Sequence, residues 1–359
     1  MRANPRILIT GGAGFVGSNL ALMLKRDLEG ARVIAFDNLR RRGSELAIPR
    51  LRAGGVEFQH GDIRQPGDLD EAGAIDLLIE CAAEPSVQAG YGGSPAYVVD
   101  TNLMGTVNCL ELARRHGAAM VFLSSSRIYP IAPLCALPLA PAATRLALPA
   151  GAAGPGWSEA GIAADFPLAG ARSIYGATKL ACELLIEEYR AMYGLACPIN
   201  RCGVLTGPWQ MGKVDQGVVV LWASRHLYGG GLGYCGFGGQ GLQVRDLLHI
   251  ADLYALLRLQ IADLGSHGAA LYNVGGGAGN AVSLQELTAL CAERSGRTLA
   301  IGSDPVTKPS DIPWYVTDNG AVTAATGWRP TRSVPAILDE IFDWLTVHRA
   351  RLEPILGGA

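Results

Sequence analysis

Charge is scarce in this sequence. Asp, Glu, Lys and Arg make up only 17% of its 359 residues, and the formal net charge is −2. With no basic surplus there is no electrostatic reason to expect nucleic acid or a membrane surface as partner, so a small molecule is the expected ligand. Long apolar runs are missing too. The opening MRANPRILIT is too short in apolar residues for a signal peptide and IDLLIECAA falls far below membrane-spanning length, so a cytoplasmic protein is expected. The cysteines, Cys81, Cys109, Cys135, Cys182, Cys197, Cys202, Cys235 and Cys291, form no C-x-x-C pair and no Cys/His cluster at ligand spacing. That leaves no expected metal and reads as buried thiols in a reducing compartment. No repeat of roughly 20–50 residues is present, which excludes a solenoid. Hydrophobic residues are plentiful at 49%, enough for one large domain with a second lobe or for two domains.

From residue 6 to about 120, short apolar runs (RILIT, RVIAF, EFQHGD, DLLIECAA, MVFLSSS) alternate mostly with helix-length periods. That pattern predicts a parallel sheet covered on both faces. Residues 131–170 are dominated by Ala, Pro, Gly and Leu without a clean period, and are expected to form an irregular, partly ordered surface excursion, with a lid or interface segment as the alternative. A helix returns over 173–194, followed by the strand CPINRCGVL. Beyond about 205 the chain is rich in turn signals, with helices expected near 217–228, 251–263, 283–295 and 335–349.

RILITGGAGFVGSNLALML joins a strand, a glycine turn and an amphipathic helix. Gly11, Gly14 and Gly17 have the spacing that lets backbone N–H groups approach a pyrophosphate at a helix N-terminus. A glycine triplet is weak evidence alone, but here it lies between strand and helix. Twenty residues on, Asp37 ends a second strand where a carboxylate accepts both ribose hydroxyls and repels a 2′-phosphate, favouring NAD over NADP. Arg40, Arg41 and Arg42 either soften that preference or form a solvated turn. Asp62 and Ile63 close a third strand at the place for an adenine edge; a turn-capping Asp is the alternative.

Tyr175 and Lys179 are four apart on the predicted helix and share a face. An ordinary phenol is a poor base at neutral pH, and a neighbouring ammonium favours its anion. With four lysines and eleven tyrosines in the chain, a chance Tyr-x-x-x-Lys is expected about 0.1 times.

The glycine spacing, the serine-bearing strand end SSSRIYP and Tyr-x-x-x-Lys together resemble the extended short-chain dehydrogenase/reductase superfamily of sugar-nucleotide epimerases and dehydratases. The resemblance runs through VRDLLHIADL, YNVGGG and TDNGAVTAATGWRP. It implies a doubly wound α/β parallel sheet of Rossmann type over residues 1–204, interrupted by the 131–170 excursion. A smaller C-terminal α/β substrate lobe would occupy 205–359, with interleaved segments allowed. It implies Ser125 as the hydroxyl that joins Tyr175 and Lys179 in a catalytic triad. Around NAD it places Gly11, Gly14, Phe15, Val16, Gly17, Asp37, Asn38, Asp62, Ile63, Cys81, Ala82, Ala83, Asn102, Tyr175, Lys179 and Cys202. Cys81, Ala82 and Ala83 would line the nicotinamide side, and Asn102 would orient backbone near the triad.

Dehydratases of the superfamily carry an Asp-Glu pair directly after the triad hydroxyl, because eliminating water needs a further acid and base. Here Ser126 and Arg127 stand in those places. Arginine cannot deprotonate a sugar carbon, which disfavours dehydration and leaves simple hydride chemistry. Arg127 then touches substrate or donates structural hydrogen bonds. FDNLRRRGSELAIPRLRAGGVEFQHGDIR, IECAAEPSVQAGYGGSP and NRCGVLTGPWQMGKVDQGVVVLW are similar to the CDP-tyvelose (CDP-paratose) 2-epimerase group. NRCGVLTGPWQ departs from the broader R-x-x-N-V-Y-G-P pattern, with Val204 in place of the diphosphate-binding Asn. The diphosphate contact then falls to Arg245, with Lys213 as a second charge. Glu84, Ser86 and Ser126 are further substrate-facing candidates.

The resemblance therefore implies an NAD-dependent epimerase acting on carbon 2 of a CDP-linked deoxyhexose, through oxidation to a keto sugar and re-reduction. The alternatives are a 4-epimerase or dehydrogenase on another nucleotide sugar, and a non-catalytic NAD-sensing scaffold. Similar proteins dimerise through the helices expected at 97–116 and 173–194, so a homodimer or homotetramer is expected.

Overall fold

The computed structural model describes residues 4–212 and 216–357. Contacts divide the chain into two compact units: 1–128, 173–201 and 253–272 in the first, and 129–172, 202–252 and 273–359 in the second.

Seven strands form the central sheet: β1 (Arg6–Thr10), β2 (Arg32–Asp37), β3 (Glu57–His60), β4 (Leu77–Glu80), β5 (Ala119–Ser125), β6 (Ile199–Cys202) and β7 (Leu271–Val274). Their spatial order is β3-β2-β1-β4-β5-β6-β7. The β1–β2, β2–β3, β1–β4 and β4–β5 ladders are parallel. Parallel strands need crossovers, and covering both faces buries the central strands, which is why β1 and β4 read as apolar runs and not as alternating ones, whereas the edge strand β3, Glu57–His60, stays exposed to half-buried. Ile7, Leu8 and Ile9 on β1 and Leu77, Leu78 and Ile79 on β4 are fully buried. On one face of the sheet Leu8 and Leu78 share an apolar cluster with Phe36, Phe122, Leu110 and Ile186. Strand order reverses between β1 and β4, so the carboxyl ends of these two strands flank the crevice where such sheets take ligands.

Two further helices matter for the site. The helix expected at 97–116 runs through Ala96–Val99, the π turn Asp100–Met104 and Gly105–His116, and the one expected at 173–194 is Ile174–Tyr193. Ser173 caps the second, its hydroxyl accepting from the Gly176 N–H at 3.2 Å, and Gly194 ends it in the left-handed region at φ 66°; both are strong boundary signals.

The second unit carries a smaller sheet of Val204–Thr206, Val244–His249, Ala281–Ser283 and Trp314–Tyr315. Helices Val218–Tyr228, Leu284–Ser295 and Val334–Val347 lie within a residue or two of the expected positions. The 131–170 segment differs from expectation. It holds a helix (Ile131–Cys135) and two short hairpins, Ala140–Pro141 with Leu146–Ala147 and Trp157–Ser158 with Gly161–Ile162. Leu134, Ile162 and Phe166 are buried, and Tyr129 donates to Asn273 at 2.7 Å. Strands two residues long leave no readable period, so this order was hidden from pattern analysis. Among the described residues no helix is long and apolar enough to cross a membrane, and no cluster of His, Cys, Asp and Glu is arranged for a metal.

Candidate active site

The glycine turn ends β1 and starts the helix Phe15–Asp27. Gly11 sits at φ 62°, and a Cβ there would lie 2.7 Å from the Cys81 carbonyl oxygen. A Cβ on Gly14 or Gly17 would lie 3.0 or 2.2 Å from the Gly11 oxygen. Three absent side chains thus let the turn fold onto its own helix, which starts at Gly14 with no capping side chain. The N–H groups of Phe15, Val16 and Gly17, in the first helical turn, have no intrahelical partner by geometry, which suits a pyrophosphate.

Asp37 reaches this turn from the end of β2. Its carboxylate accepts from the Ala13 N–H at 3.1 Å and the Leu39 N–H at 2.7 Å. Burial pushes its pKa up, and these N–H donors pull the other way. Asn38 donates to Asp62 at 2.9 Å, tying the ends of β2 and β3 together. The Arg64 guanidinium against Asp62 holds that carboxyl down at about 2. Ile63 is buried beneath Gly105, and its carbonyl accepts from Asn108 at 2.8 Å. The Arg40 and Arg64 guanidinium carbons lie 3.8 and 4.9 Å from the Tyr97 ring centre. Arg40, though exposed, therefore stacks on the Tyr97 ring at this end of the sheet.

At the end of β4 the chain turns through Cys81, Ala82 and Ala83, all half-buried. The Thr10 hydroxyl accepts from the Cys81 and Ala82 N–H groups at 3.2 and 3.4 Å. Asn102, in a π-helical turn over Asp100–Met104, clamps the next residue: its amide oxygen accepts from the Glu84 N–H at 2.8 Å and its amide nitrogen donates to the Glu84 carbonyl at 3.1 Å. Such turns within helices recur at functional sites. Glu84 in turn accepts from the Ser86 N–H at 3.2 Å through its side chain.

Ser125 closes β5 and its hydroxyl accepts from the Arg127 N–H at 3.1 Å, within the tight turn Ser126–Ile128. Tyr175 and Lys179 lie one turn apart on the helix Ile174–Tyr193, Tyr175 half-buried and Lys179 buried. The Lys179 Nζ lies 3.2 Å from Glu80 Oε2 and 4.5 Å from the Phe122 ring centre. Burial works against the ammonium, but Glu80 and then Tyr175 outweigh it, and Lys179 titrates above the usual lysine range. Glu80 was not legible as a site residue; its only signal was an isolated carboxylate at the end of the apolar run DLLIE. Next to Lys179, Glu183 takes a bidentate contact from Arg201 with a closest approach of 2.8 Å and accepts from Ser124 at 2.5 Å. Ser124 is thereby committed to a buried network.

Gly11, Gly14, Phe15, Val16, Gly17, Asp37, Asn38, Asp62, Ile63, Cys81, Ala82, Ala83, Asn102, Ser125, Ser126, Arg127, Tyr175 and Lys179 all fall in the first unit, with Glu84 and Ser86. Cys202 and Arg245 fall in the second. Cys202 is buried at the end of β6. Arg245 pairs with Asp311 at 3.1 Å and donates to the Ile312 carbonyl at 2.6 Å. Lys213 lies outside the described residues.

A family model described as "NAD dependent epimerase/dehydratase family" matches residues 7–275. The chain is 28% identical over 347 residues to a CDP-paratose 2-epimerase of Salmonella typhi, covering 94% of this chain and 98% of that one. Among solved structures it is similar to a UDP-glucose 4-epimerase of Thermus thermophilus in complex with NAD, with TM-score 0.75, 26% identity, and coverage of 95% of this chain and 99% of that one. It is also similar to a dTDP-glucose 4,6-dehydratase of Streptomyces venezuelae with NAD bound, with TM-score 0.78, 26% identity, and coverage of 99% and 100%.

Proposed function

The chain belongs to the NAD dependent epimerase/dehydratase family, and from its similarity to a CDP-paratose 2-epimerase we propose that it inverts carbon 2 of a CDP-linked deoxyhexose. Its cofactor is NAD, and the glycine turn with its missing side chains fits a dinucleotide. Phe15, Val16 and Gly17 offer N–H groups to the pyrophosphate, and Asp37 offers a carboxylate to the adenosine ribose. NAD, when bound, supplies the acceptor for the substrate hydride and the donor for its return. Tyr175 takes the proton of the sugar hydroxyl and gives it back; Ser125 holds that oxygen by hydrogen bond. Lys179 sets a positive charge on the same helix face, which favours removal of the proton. The resulting keto sugar must present its other face before reduction, so the centre inverts with no net oxidation.

The observation that carries this reading is the buried, paired ammonium of Lys179 one helical turn from Tyr175. The CDP-sugar and carbon 2 rest on the similarity to the CDP-paratose 2-epimerase. Arg127, in place of a carboxylate, supports hydride chemistry without elimination. A 4-epimerase is the second reading, favoured by the similarity to the Thermus enzyme. We assign the diphosphate to Arg245 and Lys213, and sugar contacts to Glu84, Ser86, Ser126 and Arg127. We also propose a cytoplasmic homodimer or homotetramer, supported by exposed apolar side chains on the helix Ile174–Tyr193, where Leu184 is 58% and Met192 66% exposed.

The test compares the parent chain with Tyr175→Phe on CDP-, UDP- and GDP-sugars by NMR, where the ring proton coupling constants of the parent's product locate the inverted carbon. The variant is expected to keep NAD and lose turnover by at least about 10²-fold. Undiminished turnover would remove the assigned base.

A further inference from the structure

Glu80 ends β4 in the middle of the sheet, with register partners Thr10 on β1 and Phe122 on β5, and none of it reaches solvent. The three residues before it are aliphatic, as a strand buried on both faces requires. A carboxylate at such a place is costly unless it is paired. Its partner is the Lys179 Nζ, 3.2 Å from Oε2, whereas Oε1 has no hydrogen-bond partner among the described residues. Burial pushes the Glu80 pKa up, and the Lys179 ammonium, followed by the Ala82 N–H, pulls the other way. Pairs of this kind add little to net stability over apolar side chains of the same volume, so stability does not explain the residue.

The other groups around the ammonium do not supply its counter-charge. The Phe122 ring faces it from β5. Tyr175 and Cys182 face it from its own helix, and Cys109 lies nearby on the helix Gly105–His116. Burial pushes the Cys109 thiol well up, Cys182 to about 11 and Cys197, ahead of β6, to about 12, so all three are neutral at ordinary pH. Glu183, one residue beyond Cys182, is neutralised by Arg201.

We infer that Glu80 is a positioning residue: a buried counter-ion that keeps Lys179 protonated, and fixed on the Tyr175 face of its helix, across the working pH range. This rests on the place given to Lys179 in the proposed catalytic set. In the intact chain, burial opposes the ammonium but Glu80 reverses the balance, raising Lys179 above its unfolded value. Its contribution to stability is then fully present below the ordinary lysine pKa and is lost only as pH rises through the raised one. Without Glu80 the burial effect dominates. The folded chain then releases the Lys179 proton more readily than the unfolded chain, so the sign reverses and the stability of the variant rises with pH.

The experiment compares thermal melts of the full chain and Glu80→Gln from about pH 6.5 to about pH 9.5. Glu80→Gln is expected to melt lower at the acid end, with the gap to the parent falling to about half or less at the alkaline end. In Glu80→Gln with Lys179→Met the slope should vanish, because the titrating group is gone. A gap that stays constant with pH, or a slope that survives Lys179→Met, overturns the inference. The pH–rate profile gives a second reading: the alkaline fall of Glu80→Gln should begin about one pH unit or more below that of the parent, a tenfold change in the charged fraction at fixed pH. A lower rate with an unmoved alkaline limb overturns the inference. Should Glu80→Gln not fold, Glu80→Asp, which draws the charge back by one methylene, should move that limb in the same direction by less; no movement counts against Glu80. The melting arm needs no sugar. A pH-dependent gap in a chain with no epimerase activity keeps the counter-ion and rejects the proposed reaction, whereas normal turnover by Tyr175→Phe rejects only the assignment of Tyr175 as the base.

Discussion

Adding one methyl group at Gly17 should separate cofactor binding from folding. The new Cβ would lie 2.2 Å from the Gly11 oxygen, 2.8 Å from the Gly11 carbonyl carbon and 2.8 Å from the Gly12 Cα. All three are backbone atoms, so no side chain can swing aside. An unstrained carbon–oxygen contact needs about 1 Å more. The turn cannot easily retreat, because a Cβ on Gly12 would itself sit 2.5 Å from the Ala35 Cα, so β2 stands directly behind it. The strain of such overpacking is about 1–3 kcal/mol, small enough for the chain to fold. Yet the same shift moves the first-turn N–H groups away from the pyrophosphate, and a misplacement of about 1 Å can cost about 10²-fold. We therefore expect Gly17→Ala to lower the melting temperature by a few degrees (about 2–4 °C per kcal/mol for chains of about 150–250 residues, and no more for a longer one) and to weaken NAD binding at least tenfold, roughly. Calorimetric titration with NAD and a thermal melt of the same sample measure both. Gly67→Ala is the control: a Cβ there meets nothing within 4 Å, and the expected change is within about 0.5 kcal/mol. Unaltered NAD affinity in Gly17→Ala would show that the turn is not the cradle.

Two further variants test the surroundings of the site. Glu183→Gln leaves Arg201 buried without its carboxylate and weakens the Ser124 contact; it should cost about 3–5 kcal/mol in urea unfolding, as broken buried pairs do, and an unchanged midpoint would exclude a structural role for the network. Asp62 is held at about 2 by Arg64, below its ordinary 3.8, so its contribution is present above the unfolded value and is lost as pH falls through about 2; Asp62→Asn should flatten that part of the acid-unfolding curve, and an identical acid limb would refute the pairing.

The difference between what was and was not legible in the sequence lies in the range of the interactions. The glycine spacing, Asp37 at a strand end and Tyr175 with Lys179 at helical spacing are local features, and local geometry alone carries their meaning. The pairing of Glu80 with Lys179 spans 99 positions, and nothing in the order of residues says which buried cation meets that carboxylate. Arg201 is equally buried, and the fold gives it to Glu183 instead. The hairpins of 131–170 failed for another reason. Each strand is two residues long, below any period, and their stability comes from distant partners: Arg145 reaches Glu286 at 2.5 Å, and the Ile162 N–H donates to the Val316 carbonyl at 2.7 Å. A segment held by such contacts reads as a loop in isolation and as structure only once the chain has closed on it. Asn102 was expected, from the resemblance, to orient backbone, and its amide clasps the Glu84 N–H and carbonyl 18 positions away; the π turn that carries it depends on main-chain pairing and left no mark in the order of residues.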